Sequence, residues 1–132
     1  MREVITGPGV PAAIGPYSPA VRAGGLVFVS GQPGVHPETG EPAGTTMADQ
    51  ARQAFANLEA VLVAGGSRLD LVVDTTVLVA DVAEFGVVNE LFAEAFPTLP
   101  PARMTMQVPL PRGLLISIGA VAVVERDATE AR

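Results

Sequence analysis

The sequence lacks several residue types on which common active sites depend. It contains no cysteine, which excludes disulfide bonds and thiolate chemistry. It also contains no lysine, so it cannot form a Schiff base with pyridoxal phosphate or with a carbonyl substrate. The single histidine, His36, excludes a multi-histidine metal site. Any catalysis must therefore depend on arginine, carboxylates, hydroxyl groups, backbone amides and water.

Long apolar segments and an excess of positive charge are absent as well. The longest apolar stretch, residues 114–124, is too short to span a membrane and is interrupted by Ser117 and Gly119. Residues 1–4 include an acid and lack an extended apolar core, so we expect no signal peptide and a cytoplasmic protein. The net charge of −6 argues against a nucleic-acid partner, because binding to phosphates usually requires a basic face.

What is present is a short, apolar chain. Its 132 residues suit one domain, which we assign to residues 1–132. Apolar residues make up 48% of the chain and charged residues only 17%, and a domain of this size has a limited interior. We therefore expect part of the apolar surface to meet another subunit.

Hydrophobic periodicity and turn residues predict elements in the order β-β-β-α-β-α-β-β. Strands are predicted at residues 2–6, 20–23, 26–30, 71–80, 103–108 and 114–124, and helices at residues 46–64 and from 81 to before Pro97. The simplest packing is an α+β fold in which both helices cover one face of a mixed sheet. The other face would be uncovered, and strand 71–80, apolar on both of its faces, would need a partner there.

Turn and cap residues mark the ends of these elements. Gly24-Gly25 predicts a hairpin, Thr46 an N-cap and Gly65-Gly66 a helix end. Asp81 and Glu84 predict a capping box for the second helix. The predicted buried stripes comprise Met47, Ala51, Ala54, Phe55, Leu58, Val61 and Leu62 on the first helix, and Phe85, Val88, Leu91, Phe92 and Phe96 on the second.

Arg103 is the first candidate for a binding residue. It begins a predicted strand after two prolines and has apolar neighbours. In one interpretation, which the sequence alone favours, it is a strand-end arginine that is solvated or paired with a surface acid. In the other, its planar guanidinium binds a substrate carboxylate, and a charge-assisted hydrogen bond of that kind contributes about 1.5–3 kcal/mol.

Tyr17 and Ser30-Gly31 are further candidates in loops and strand ends. Tyr17, the only tyrosine, lies in a Gly/Pro-rich loop, where it either presents its phenol to a site or packs a turn. Ser30-Gly31 offers a hydroxyl and approachable amides, although an ordinary strand terminus is the favoured interpretation. A nucleophilic Ser30 would need His36 as its base, and His36 is better interpreted as a solvated loop residue.

Two other polar residues are given structural interpretations. Asp74 lies within the apolar strand 71–80 and is interpreted as a buried polar group that needs a partner. Asn89, on the second predicted helix, is interpreted as a cap or a local hydrogen-bonding residue.

Several segments in series carry a resemblance to a known family. They are residues 13–18 (AIGPYS), 27–32 (VFVSGQ), 50–54 (QARQA), 74–77 (DTTV) and 101–103 (PAR). The Gly-Pro-Tyr loop, the Ser-Gly-Gln strand end and the Pro-Ala-Arg strand follow one another in this order. Over essentially its whole length the chain therefore resembles the RidA/YjgF family of reactive intermediate deaminases.

The resemblance implies a chorismate-mutase-like α+β fold and a homotrimer with clefts between its subunits. It implies that Arg103 binds the carboxylate of a small enamine or imine acid, such as 2-aminoacrylate. The cleft would be lined by Tyr17, Ser30, Gly31, Asn89 and Thr105, several of them from the neighbouring chain. Hydrolysis to a 2-oxo acid and ammonia requires no metal and no cofactor, and Arg103, Tyr17 and Thr105 are the catalytic candidates.

Gly119 is the main departure from the family. The family's last strand usually carries a glutamate that handles the water or a proton, and Gly119 is the matching residue. Alternation places Ser117 and Gly119 on one face, which makes both candidate substrate-binding residues. Three functions follow: a 2-iminobutanoate/2-iminopropanoate deaminase-like hydrolase with altered proton handling, a non-deaminating relative that binds or guides a larger carboxylate-bearing metabolite, and, least favoured, a ribonuclease or translation inhibitor.

Overall fold

The computed structural model describes residues 1–125, which form one mixed sheet with two helices. The elements are β1 (Glu3–Ile5), β2 (Ala20–Ala23), β3 (Leu26–Pro33), α1 (Met47–Ala64), β4 (Val72–Val79), α2 (Phe85–Ala95), β5 (Ala102–Gln107) and β6 (Ile116–Val123). The strands lie in the order β1-β2-β3-β6-β4-β5, and of the neighbouring pairs only β4 and β5 are parallel. The predicted α+β architecture is confirmed, and the element ends differ from the prediction by a few residues.

The ends of α1 are set by the local residues that the sequence indicates. The Thr46 hydroxyl accepts a hydrogen bond from the Asp49 amide at 3.1 Å, which satisfies one free donor of the first turn. At the other end Gly66 adopts a left-handed φ of 82°, and the Ser67 amide donates to the Leu62 carbonyl at 2.8 Å. This is the arrangement of a Schellman motif, and it confirms the predicted helix end.

The core lies between the sheet and the two helices. All seven residues of the predicted α1 stripe are buried. Phe92 of α2 and Phe96 just after it each pack edge-on against Phe55 of α1, with ring centroids 6.1 Å apart, and they lie tilted against each other at 4.8 Å. Phe85 is 37% exposed, so its assignment to the buried stripe was wrong. It is the first residue of α2 and lies beside Arg103 of the edge strand.

The predicted capping box of α2 was also wrong. The Asp81 carboxylate accepts from the Ala83 amide at 2.9 Å and caps a separate 3-10 turn, Val82–Glu84. Glu84 makes no capping hydrogen bond with its side chain, and α2 begins only at Phe85. In a capping box, the side chain at the third position of the helix bonds back to the N-cap amide. Because the 3-10 turn precedes α2, Glu84 does not occupy that position of α2.

Two bulges change which residues reach each face of the sheet. In β3 the register shifts between Val29 and Gln32, so Ser30-Gly31 forms a bulge inside the strand. In β4 it shifts between Val72 and Asp74, so that Val72 and Thr75 both face the core, while Asp74 and Thr76 share the face without helices. Asp74 is exposed there, so its interpretation as a buried polar group was wrong: within the described residues nothing covers that face.

The face of the sheet opposite the helices carries large exposed apolar side chains. Phe28 is 45% exposed, Met104 58% and Met106 44%. Both helices pack on the other face, through Val77 and Ile118 among others. The prediction of a half-covered sheet is thus confirmed, and we call this uncovered side the open face. Within residues 1–125, neither helix has the length and apolar character needed to cross a bilayer.

Candidate functional site

A cavity of about 510 Å³ lies on the open face. Its lining includes three sequence candidates, Tyr17, Ser30 and Gly119, and it also includes Asp74 and Thr76 of β4. Thr76 pairs directly with Gly119 across the β4–β6 ladder. The strand register thus places the cavity over β6, between the β3 bulge on one side and the start of β4 on the other.

Ser30 ties the loop that carries Tyr17 to the sheet. Its hydroxyl donates to the Ser18 carbonyl at 2.6 Å, and its amide donates to the Pro19 carbonyl at 2.9 Å. The hydroxyl proton is therefore engaged, and the oxygen is free to accept from a ligand. His36 is exposed on a different loop, as expected, so Ser30 and His36 do not form a nucleophile and base pair.

Tyr17 stands at the rim of the cavity. It is 49% exposed, and its hydroxyl oxygen accepts from the Ile14 amide at 3.4 Å. The phenol proton is directed to no acceptor within the described residues. Tyr17 also borders a second cavity of about 220 Å³ behind its loop, so it separates the two spaces.

Gly31, Ser117 and Gly119 lie together where β3 meets β6. A Cβ at Gly31 would lie 2.6 Å from the Ser117 hydroxyl oxygen, which shows how closely the bulge approaches Ser117. A Cβ at Gly119 would lie 3.4 Å from the Val29 carbonyl oxygen and 3.9 Å from the Gly31 amide nitrogen, which are ordinary contacts. The backbone at Gly119 therefore accepts a side chain, and its absence leaves the cavity open.

Arg103 is held against α2 from β5. One of its terminal nitrogens donates to the Asn89 side-chain oxygen at 2.8 Å, and its guanidinium carbon lies 4.9 Å from the Phe92 ring centroid and 5.6 Å from that of Phe85. Arg103 forms no ion pair with any acid of residues 1–125. The stacking and the one hydrogen bond fix the plane of the guanidinium and leave its other N–H groups free to donate to an anion.

Thr105 follows Arg103 on the same face of β5. Its hydroxyl oxygen is buried and has no hydrogen-bond partner within the described residues. A buried unpaired polar atom costs about 1–3 kcal/mol. Thr105 therefore offers an unsatisfied hydroxyl next to the guanidinium.

The candidate residues form two groups on opposite faces of the sheet. Arg103, Asn89 and Thr105 lie on the helix side of β5, whereas Tyr17, Ser30 and Gly119 line the cavity on the open face. Because β5 is an edge strand, the Arg103 group lies at the margin of the sheet. One chain does not bring the two groups together.

Comparison with known proteins decides the family. The model of the family described as endoribonuclease L-PSP, the YjgF/RidA family, matches residues 9–124. The chain belongs to this family. It is 43% identical over 92% of its length to Reactive Intermediate Deaminase A, chloroplastic, of Arabidopsis thaliana, of which it spans 65%. It is 44% identical over 93% of its length to 2-iminobutanoate/2-iminopropanoate deaminase of Mus musculus, of which it spans 92%.

Solved structures of YjgF/RidA proteins share the fold. The crystal structure of RidA from an Antarctic Psychrobacter species superposes with a TM-score of 0.88 at 37% identity, covering 92% of this chain and 99% of that one. The family resemblance inferred from the Gly-Pro-Tyr, Ser-Gly-Gln and Pro-Ala-Arg segments is thereby confirmed.

Two buried amides that position this YjgF/RidA site were missed in the sequence. The Asn57 amide donates to the Pro33 and Val35 carbonyls at 3.0 and 2.8 Å, and it is 1% exposed. The Gln50 amide donates to the Gly113 carbonyl at 3.0 Å and is also 1% exposed. Both lie on the core side of α1, and a polar residue within an apolar stripe is the signal that would have revealed them.

Proposed function

We propose that this chain is an enamine/imine deaminase, a 2-iminobutanoate/2-iminopropanoate deaminase-like hydrolase that converts 2-aminoacrylate-type intermediates to 2-oxo acids and ammonia. The observation that carries the proposal is Arg103, whose guanidinium is oriented by Asn89 and Phe92 and keeps donors free of any acid of residues 1–125. The relatives named as deaminases support the same reaction class. A planar, oriented fork suits a small carboxylate.

The proposed site is built from two chains of a cytoplasmic homotrimer. One chain supplies Arg103, Asn89 and Thr105. Its neighbour supplies Tyr17, Ser30 and Gly119 of the open-face cavity, with Gly31 and Ser117 beside them. Two features support this: the groups lie on opposite faces within one chain, and the open face exposes apolar side chains that a neighbour would bury.

The chemistry requires an anchored carboxylate, a placed water molecule and controlled protons. Arg103 binds the carboxylate and fixes the imine carbon relative to the water, which converts a bimolecular encounter into an oriented one. Tyr17 and Thr105 offer hydroxyl groups to the bound substrate. No metal or cofactor enters this scheme, and Gly119 contributes no acid or base of its own.

A second candidate function is favoured by the open position at Gly119. The cavity of about 510 Å³ has space where the family usually carries a glutamate side chain. A non-deaminating protein that binds or guides a larger carboxylate-bearing metabolite would use this space. Gly119→Glu distinguishes the two functions. If the parent protein has no deaminase activity and the variant gains it, the native function is not deamination.

A ribonuclease function is the least favoured of the three. The family description names an endoribonuclease, yet the chain has a net charge of −6 and no lysine. Affinity for a phosphate backbone depends on cationic side chains and falls with salt. Salt-sensitive RNA binding by the purified protein would restore this candidate.

The test of the proposed function is turnover of freshly generated 2-aminoacrylate and of larger imino acids. We expect release of ammonia and 2-oxo acid above the rate in buffer, and loss of this excess in Arg103→Ala. Size-exclusion chromatography and circular dichroism establish that both proteins are folded and assembled. If the folded, assembled protein releases no more ammonia and 2-oxo acid than buffer alone, the deaminase function is refuted.

A further inference from the structure

A carboxylate lies in the open-face cavity although position 119 has none. We propose that Asp74 is the general base and acid of this cavity and supplies the proton transfers that Gly119 cannot. The inference rests on the proposed deaminase function and extends it to a residue of β4. Among the acids of residues 1–125, Asp74 alone lines this cavity.

The register places Asp74 next to the open position. Thr76 pairs with Gly119 and Asp74 pairs with Val121, so Asp74 is the diagonal neighbour of Gly119 on the same face. Diagonal neighbours across an antiparallel pair lie about 7–8 Å apart at Cα. A carboxylate at that distance, with one intervening water, reaches the space above Gly119.

Asp74 is available for chemistry. It is exposed, and it forms neither an ion pair nor a side-chain hydrogen bond within the described residues. Some other acids are engaged, since Glu3 pairs with Arg22 and Asp81 caps a turn. Aspartate is disfavoured in strands. Asp74 lies in one beside a bulge and a cavity, and it gains no stabilising hydrogen bond or ion pair there in return.

Two bulges flank this carboxylate and the cavity. Asp74 shares the open face with Thr76 by strand alternation, and the register shift between Val72 and Asp74 lies directly beside it. Bulges are enriched beside active sites, where they redirect one side chain. The β3 bulge at Ser30-Gly31 borders the same cavity from the other side of β6.

The proposed steps balance in atoms and charge. The substrate is the protonated imine of a 2-oxo acid, with its carboxylate on Arg103. The water oxygen bonds to the imine carbon, one water proton passes to the Asp74 carboxylate, and the C=N electron pair returns to nitrogen. Asp74 then gives this proton to the nitrogen, the C–N bond breaks, and the carbonyl forms as the hydroxyl proton leaves with ammonia as ammonium.

Few other charged or hydroxyl-bearing side chains lie near Asp74. The cavity also contains Arg2 and Tyr17, while the strand partners of Asp74 are Val121 and Ala102, which carry no charge. Asp74→Asn keeps the shape of the side chain and removes the carboxylate that would accept and return the proton.

The test compares Asp74→Asn and Asp74→Glu with Glu59→Gln, an exposed acid of α1 outside the cavity. We expect Asp74→Asn to lower kcat by about 10²–10⁴-fold, as for loss of a positioned acid or base. Asp74→Glu should retain part of the rate, and Glu59→Gln all of it. In the Asp74→Asn background, Gly119→Glu should restore turnover.

The outcomes separate this inference from the proposed function. If the parent protein turns over imines and Asp74→Asn does so equally well, the assignment of Asp74 is overturned and the deaminase function remains. If the parent protein shows no turnover above the rate in buffer, both the deaminase function and the role of Asp74 are refuted. Melting curves of Asp74→Asn are expected to match the parent, because within the described residues the Asp74 side chain forms no hydrogen bond or ion pair that the change would remove.

Discussion

Replacement of Arg103 by alanine tests the carboxylate anchor quantitatively. The fork offers two charge-assisted hydrogen bonds to a carboxylate, each worth at least about 1.5 kcal/mol. Their loss, about 3 kcal/mol, corresponds to a rise in Kd of about 150-fold. The folded state loses only an exposed hydrogen bond to Asn89 and the stacking on Phe92, which is worth about 0.5–1 kcal/mol at an exposed site.

Isothermal titration with 2-oxobutanoate, a stable 2-oxo acid, measures this loss. Arg103→Lys should fall between the parent and Arg103→Ala, because it keeps the charge and loses the planar fork. Arg52→Ala is the matched control, since Arg52 is exposed on α1 and has only a 4.0 Å contact with Asp49. An unchanged Kd for Arg103→Ala, or an equal loss for Arg52→Ala, would refute the assigned anchor.

The remaining predictions concern the contacts that shape the site. Asn57→Ala should lower the free energy of unfolding by about 2 kcal/mol or more in urea titrations, because the Pro33 and Val35 carbonyls each lose a buried donor; a loss below experimental error would contradict this. Gly34→Ala should destabilise by about 3 kcal/mol or prevent folding, because its Cβ would lie 2.1 Å from the Gln50 carbonyl oxygen. Gly86→Ala is the control: its Cβ would meet no atom within 4 Å, so the change should be neutral or stabilising by up to about 1 kcal/mol. An equally small effect of Gly34→Ala would contradict the close approach of Gly34 to the Gln50 backbone.

Elements defined by neighbours in sequence were predicted well. The β2–β3 hairpin follows from Gly24 and Gly25, whose φ angles of 58° and 78° are those of a type I′ turn. The ends of α1 depend on Thr46 and Gly66, each within a few residues of its hydrogen-bond partners. Such signals act over one turn and need no knowledge of the rest of the fold.

Features that depend on distant partners were not predicted. The bulges in β3 and β4 arise where each strand meets β6, and the strand's own sequence does not show them. Asp74 was expected to be buried because its strand is apolar on both faces, whereas the open face has no cover within the described residues. Asn57 and Gln50 fix loops that lie up to 65 residues away along the chain, so their hydrogen bonds became visible only once the helix was packed on the sheet.

The candidate site was predicted in part. The family resemblance identified Tyr17, Ser30 and Gly119, which do line one cavity. It also identified Arg103 and Asn89, which do hydrogen-bond to each other. That the two groups lie on opposite faces follows from the strand register, which pairs Arg103 with the core-facing Thr75 and Gly119 with the open-face Thr76. The register is a property of the folded sheet and not of any motif.

Mixing two inactive variants tests the shared cleft most directly. Arg103→Ala removes the anchor, and Gly119→Phe fills the cavity at a position where a Cβ meets only ordinary contacts. If each cleft takes Arg103 from one chain and the cavity from its neighbour, random exchange in equal amounts restores about one quarter of the clefts. We expect 2-oxobutanoate binding and imine turnover to return at about that level once mass spectrometry shows mixed assemblies. Mixed assemblies that remain inactive, although each variant is folded, would contradict a site shared between chains.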